Sequence, residues 1–179
     1  PSMGYHLTER KIEAELGDDD LDHNVQRLGY WPKYNQKSAI SMEEWDALAY
    51  KRLPKLVTPL YVGIKYGNDG ANVAMSIAAK TSTDKVFVES IDCQSVRNGN
   101  AWILDFISKA NVEMVVVDGA SGQDLLTAEM KRAKIRPYPI LPKVKEVITA
   151  YSAFERGIHL ETIAHKNQPS LTQVVTNTE

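Results

Sequence analysis

"VEMVVVDGASGQDLL", residues 112–126, passes through five apolar positions in six, reaches Asp118 and then meets Gly119 and Gly122. An apolar run with no polar alternate face reads as a strand buried on both sides, as in a parallel sheet. The glycines mark a turn into a helix predicted over "SGQDLLTAEMKRA". A strand that ends on a carboxylate at such a turn sets the acid on the rim of the sheet, where α/β proteins bind ligands. The same spelling also serves an aspartate that only caps the next helix. For Asp118 taken alone, both readings stand.

Working outward, "LYVGIKY" (60–66) is an apolar run, "NDG" (68–70) a tight-turn signal and "ANVAMSIAAKT" (71–81) a second run, which together predict a β-hairpin. "KVFVESIDC" alternates as a third strand. "NAWILDFISKA" has helical spacing, with Trp102, Ile103, Phe106 and Ile107 on one side. After the stretch quoted first, "RPYPILP" (136–142) reads as a short fifth strand and "VKEVITAYSAFERG" as a further helix. The order β-β-β-α-β-α-β-α predicts a mixed α/β sheet with helices on its faces, which is the ribonuclease H-like arrangement. There the first and fourth strands are neighbours, and their ends gather carboxylates from distant sequence positions.

The region before Pro54 and Pro59 is different. "ERKIEAELG" and "DDDLDHNVQRLGYW" predict short helices, and "SMEEWDALAY" opens on Ser41 with Glu44 three residues on, a capping-box spelling. Residues 1–56 therefore read as a helical linker segment and 57–179 as the α/β domain. No internal repeat or low-complexity tract interrupts the chain.

Composition sets outer bounds. The chain has 179 residues, 43% of them hydrophobic, enough for one sizeable core. No apolar run reaches eighteen residues and no secretory signal opens the chain, so it reads as cytoplasmic. The single cysteine, Cys93, excludes an internal disulfide and reads as an ordinary strand residue. Net charge is −2, but residues 1–50 carry ten acids and five bases while 51–179 carry thirteen acids and sixteen bases. That excess hints at a polyanion partner. Lys131, Arg132, Lys134, Arg136, Lys143 and Lys145 cluster in sequence; a solvated helix end and loop is the alternative account.

Two carboxylates within reach of each other are what two-metal phosphodiester hydrolysis requires, since Mg²⁺ takes oxygen ligands and paired ions lie roughly 3.5 to 4 Å apart. Asp69 is the carboxylate near the end of the first strand and so the partner expected for Asp118, although Asn-Asp-Gly is also ordinary turn chemistry.

Residues 60–171 resemble the C-terminal nuclease domain of the large terminase subunit of tailed bacteriophages. The likeness is carried by "YVGIKYGNDGANVAMSIAA", "VFVESID", "VVVDGASG" and "HLETIAHKNQPSL", while "VQRLGYWP" and "AISMEEWDAL" resemble the segment that joins the packaging ATPase to that nuclease. The resemblance implies a metal-dependent endonuclease that cuts concatemeric duplex DNA. Asp69 and Asp118 would bind Mg²⁺ or Mn²⁺, and a metal-bound water would attack phosphorus without a covalent intermediate. It also implies the small terminase subunit and the portal as partners, and the cytoplasm of an infected host as the location. Many members place an aspartate in the first strand where this chain has Lys65; a branch of similar spelling has one in the following turn, as Asp69 is here.

Lys65 would then contact a phosphate as a point charge, with Lys131, Arg132, Lys143 and Lys145 as further DNA contacts, or point to solvent. The family's third acid lies on a later helix, which makes the chain read as a portion of a longer polypeptide; Glu179 is a poor substitute. No G-x-x-x-x-G-K-[ST] spelling of an ATPase occurs. The rival reading is a non-catalytic DNA-binding or docking module, with a resolvase or transposase core as a more distant alternative.

Other candidates are lesser. Asp92 ends the third strand on the same rim, and Glu89 reads as a solvent-facing strand residue. His159 and His165 read as surface histidines, with His165 as a possible proton shuttle or phosphate contact. Ser121, Gly122 and Gln123 either bind a phosphate at the helix N-terminus or only form the turn. Trp31, Trp45 and Trp102 read as packing residues.

Overall fold

The computed structural model describes residues 38–177. The helices expected over "ERKIEAELG" and "DDDLDHNVQRLGYW", together with Trp31 and Glu179, lie outside the described residues. The architecture is α/β and ribonuclease H-like: a mixed five-stranded sheet in the order β4-β1-β2-β3-β5. Its strands are β1 (Leu60–Tyr66), β2 (Asn72–Lys80), β3 (Val86–Ser95), β4 (Val112–Asp118) and β5 (Ile163–Ala164). The links from β1 to β2 and from β2 to β3 are too short for a parallel crossover, so these neighbours run antiparallel. β1 pairs with β4, and β3 with β5, in parallel.

The chain divides into two compact units. One comprises Pro59–Ile77 and Ile91–Pro142, the other the described residues of 38–58, Ala78–Ser90 and 143–177. In the first unit, the period-2 pattern of β1 buries Leu60, Val62, Ile64 and Tyr66 and exposes Tyr61 and Lys65. Val73, Met75 and Ile77 of β2 and Val115 and Val117 of β4 are buried likewise. Helix α2 (Ala101–Lys109) buries Ile103, Phe106 and Ile107 at helical spacing, leaving Trp102 half-buried. Helix α3 (Gln123–Arg132) buries Leu126 and Met130.

The expected fifth strand at 136–142 is reduced to one parallel bridge, Val116↔Ile140. Ile140 N–H donates to Val115 O at 2.8 Å, and Val117 N–H to Ile140 O at 2.9 Å. The reason lies in the sequence: Pro137, Pro139 and Pro142 have no N–H, so a longer ladder cannot form.

In the second unit, helix α1 (Met42–Asp46) has the capping box expected of Ser41 and Glu44. Helix α4 (Val144–His159) follows Lys143, whose N–H donates to Glu146 Oε2 at 2.7 Å, and residues 143–153 are all exposed. Helix α5 (Pro169–Thr176) has Pro in its first turn, where the missing donor costs nothing. Ile40, Trp45, Leu48, Ile158, Ile163 and Val175 form the core of this unit.

His165 corrects the sequence expectation of a surface histidine, being fully buried. Its ring stacks on Trp45 with centroids 3.8 Å apart and planes 7° from parallel. Asn167 N–H donates to Nδ1 at 2.8 Å, so Nδ1 is unprotonated and Nε2–H donates to Trp45 O, also at 2.8 Å. Burial pushes the imidazole pKa below its ordinary value, only partly opposed by the Trp45 carbonyl and by Asp46. Neither ring nitrogen is free for proton transfer. Trp45 is a packing residue as expected, and its Nε1–H donates to Thr172 Oγ1 at 3.0 Å. Glu89 also departs from the expectation of a solvent-facing strand residue, being 3% exposed.

Candidate functional site

The rim at the C-terminal ends of β1 and β4 is set by a register shift. Leu60 pairs with Val112 but Tyr61 with Met114, an irregularity that steps over Glu113. Beyond it, Val62 lies level with Val115 and Ile64 with Val117, all buried, and Lys65 lies level with Asp118. Without the shift Lys65 would face Val117 and the two charges would stand on opposite faces. With it, Lys65 Nζ donates to Asp118 Oδ2 at 2.5 Å, the two side chains being 55% and 34% exposed. A pair so exposed contributes only about 0–1 kcal/mol to stability. Its consequence is therefore local: the carboxylate at the end of β4 already faces a cation.

The turn after Asp118 is dictated by Tyr66. Gly119 has φ +110°, and a Cβ there would lie 2.5 Å from Tyr66 O. A Cβ at Gly122, the N-cap of α3, would overlap the Tyr66 ring atoms Cδ1 and Cε1. The ring cannot yield easily, because Tyr66 O–H donates to Asn100 Oδ1 at 2.7 Å and Asn100 Nδ2 in turn donates to Glu129 Oε2 at 2.8 Å. Burial, and then the charge of Glu129, push the Tyr66 phenol up to about 12, so it remains a donor.

Asp69 lies on the turn between β1 and β2, closed by Gly67 N–H to Asn72 O at 2.9 Å. Its Oδ1 accepts from Ala71 N–H at 2.9 Å, which is the local turn chemistry of an Asx residue. Ser121 Oγ donates to Gly67 O at 3.3 Å, so the turn bearing Asp69 and the turn following Asp118 meet. The fold thus brings Lys65, Asp118, Ser121 and the Asp69 turn to one rim.

Other expected residues go elsewhere. Lys131 and Arg132 occupy the last turn of α3, favourable for cations at a helix C-terminus. They stand about 15 Å along the helix from the Asp118 turn. The Arg136 guanidinium lies 4.5 Å from the Tyr138 ring centroid. Asp92 is held by its neighbours, accepting from Cys93 N–H at 2.8 Å and Gln94 Nε2 at 2.7 Å. Lys143 and Lys145 belong to the second unit, as does His159, whose Nδ1 lies 3.4 Å from Glu44 Oε1. Sequence reasoning missed the Tyr66–Asn100–Glu129 chain; the signal was the paired glycines at 119 and 122, which need a bulky neighbour to explain them.

A pair of divalent ions does not fit the donors present. Asp118 accepts from a lysine ammonium, Asp69 is engaged by its own turn, and Lys65 adds positive charge where cations would gather. Among the described residues no group of three or more His, Cys, Asp or Glu side chains is arranged to hold a metal.

Fold and rim together define an α/β domain with a ribonuclease H-like sheet and a charged pair at the C-terminal ends of the parallel neighbours β1 and β4. No protein-family model matches the chain, nor does any curated protein. Among solved structures it is similar to the large terminase of bacteriophage HK97, with a TM-score of 0.61 at 15% identity, over 94% of this chain and 42% of that one. The fold is therefore terminase-like, and the chain spans about two fifths of that protein's length. No helix among the described residues is long and apolar enough to cross a membrane.

Proposed function

We propose that this chain is the ribonuclease H-like domain of a terminase large subunit of the kind that packages concatemeric viral DNA, and that its β1–β4 rim engages the duplex backbone. The observation that carries this reading is the half-exposed Lys65–Asp118 pair on the rim of a terminase-like sheet. A lysine ammonium binds a phosphate as a point charge, and such contacts position a duplex without reading its sequence. Lys131 and Arg132 would be further phosphate contacts of the same unit, and Lys143 and Lys145 would be phosphate contacts of the second unit. The small terminase subunit and the portal would be its protein partners in a packaging motor.

A second reading, a metal-dependent endonuclease with Asp69 and Asp118 as ligands of Mg²⁺ or Mn²⁺, is favoured by one observation: Ser121 holds the two acid-bearing turns together. It requires Lys65 to release Asp118. Both readings are tested with the full chain. Duplex binding is followed by fluorescence anisotropy in EDTA at graded salt, and plasmid nicking is compared in Mn²⁺ and EDTA. Binding in EDTA that weakens several-fold in Lys65→Ala supports the first reading. Nicking in Mn²⁺ that Asp118→Ala abolishes establishes the second. A protein that neither binds nor nicks DNA refutes both.

A further inference from the structure

Resting on the reading of the rim as a DNA-engaging surface, we infer that Lys65 is the resident cation of this rim, neutralising Asp118 in place of a divalent ion and keeping such ions out. Three observations carry this. The register shift at Leu60/Tyr61 sets Lys65 level with Asp118, so the ammonium reaches the carboxylate from the adjoining strand end rather than by a chance surface encounter. The contact is direct, Nζ to Oδ2. Asp69, on the adjoining turn, already has one oxygen engaged by Ala71 N–H.

The exclusion does not depend on a strong ion pair. Opening an exposed lysine–aspartate pair costs little. What opposes a divalent ion is repulsion: an ion bound to Asp118 would have the Lys65 charge a few ångströms away. Coulomb's law at that separation and near-aqueous screening gives about a tenfold effect on ion affinity for removing one charge, and more for reversing it. Lys65 thus acts as a specificity-determining residue, favouring a phosphate over a metal ion at the same rim.

The test measures free Mn²⁺ by electron paramagnetic resonance as the full chain is titrated, for wild type, Lys65→Arg, Lys65→Met, Lys65→Asp and the double variant Lys65→Asp/Asp118→Asn. The expected result is weakest binding in wild type and Lys65→Arg, about tenfold tighter binding in Lys65→Met, and tighter still in Lys65→Asp. The double variant should lose that gain. Equal affinity in wild type and Lys65→Met overturns the inference, as does a gain that survives loss of the Asp118 charge. Duplex binding in EDTA, measured on the same preparations, separates the two claims. Wild-type protein that does not bind DNA defeats the DNA reading while the Mn²⁺ series still decides the role of Lys65, and the converse holds equally.

Discussion

Three glycines offer a way to measure how tightly the rim is built, because two of them isolate different causes of cost and the third combines them. Gly122→Ala is a purely steric perturbation: no left-handed backbone is involved, its φ being −143°, but the added methyl would enter the Tyr66 ring. Tyr66 is 1% exposed and anchored through Asn100, so the ring cannot swing to solvent. Overpacking of this kind costs about 1–3 kcal/mol. Gly99→Ala is the opposite case, with φ +74° and ψ −176° and nothing within 4 Å of the new Cβ. Only backbone strain remains there, also about 1–3 kcal/mol. Gly119→Ala combines both, at φ +110° with Tyr66 O 2.5 Å away, and should cost about 3 kcal/mol or more. Urea denaturation of the three variants, each repeated in a Tyr66→Leu background, separates the causes by double-mutant cycles. Shrinking Tyr66 should relieve most of the cost at Gly122 and none at Gly99. A Gly122→Ala protein within 0.5 kcal/mol of wild type, or an equal cost in both backgrounds, would refute the account of the turn.

The remaining predictions concern buried polar groups. His165 has a depressed pKa in the folded state, so its contribution is complete above about pH 6.5 and is lost as the pH falls toward and through the folded value, where only the unfolded chain takes up the proton. Urea midpoints should fall between pH 7 and pH 5 by more in wild type than in His165→Phe, and parallel curves would sink the claim. Trp45→Phe keeps a ring beside His165 but deletes the 3.0 Å bond to Thr172, and should lower stability by about 1–3 kcal/mol in the same assay. Tyr66→Phe leaves Asn100 Oδ1 without its 2.7 Å donor and should cost about 1–2 kcal/mol, checked by thermal unfolding.

Much of the fold was legible because the patterns that encode it are local. The apolar run at 60–66 announces β1, Ser41 and Glu44 announce α1, and Ile103, Phe106 and Ile107 announce one face of α2. β5 was not legible, since two residues carry no period. The shortened 136–142 strand was legible in principle from its three prolines, which count against a ladder more strongly than its apolar residues count for one. At the rim, Asp118 was readable as a strand-end acid. Its pairing with Lys65 was not, because the shift at Leu60/Tyr61 leaves no mark in either strand's own sequence. The burial of His165 was not legible for a related reason: a polar ring buries only when both nitrogens are satisfied, and Trp45, whose carbonyl accepts from Nε2, lies 120 residues away.

The alternation of β1 has a bearing on how such a rim changes over descent. The residues that fill the core and the residue that sets the sign of the rim occupy opposite faces of one strand, so position 65 can exchange a cation for an anion without altering what Val62, Ile64 or Tyr66 pack against. The exposed pair that such an exchange would break is worth only about 0–1 kcal/mol. Folding therefore constrains the charge at position 65 only weakly, and which charge stands there is left to what the rim touches.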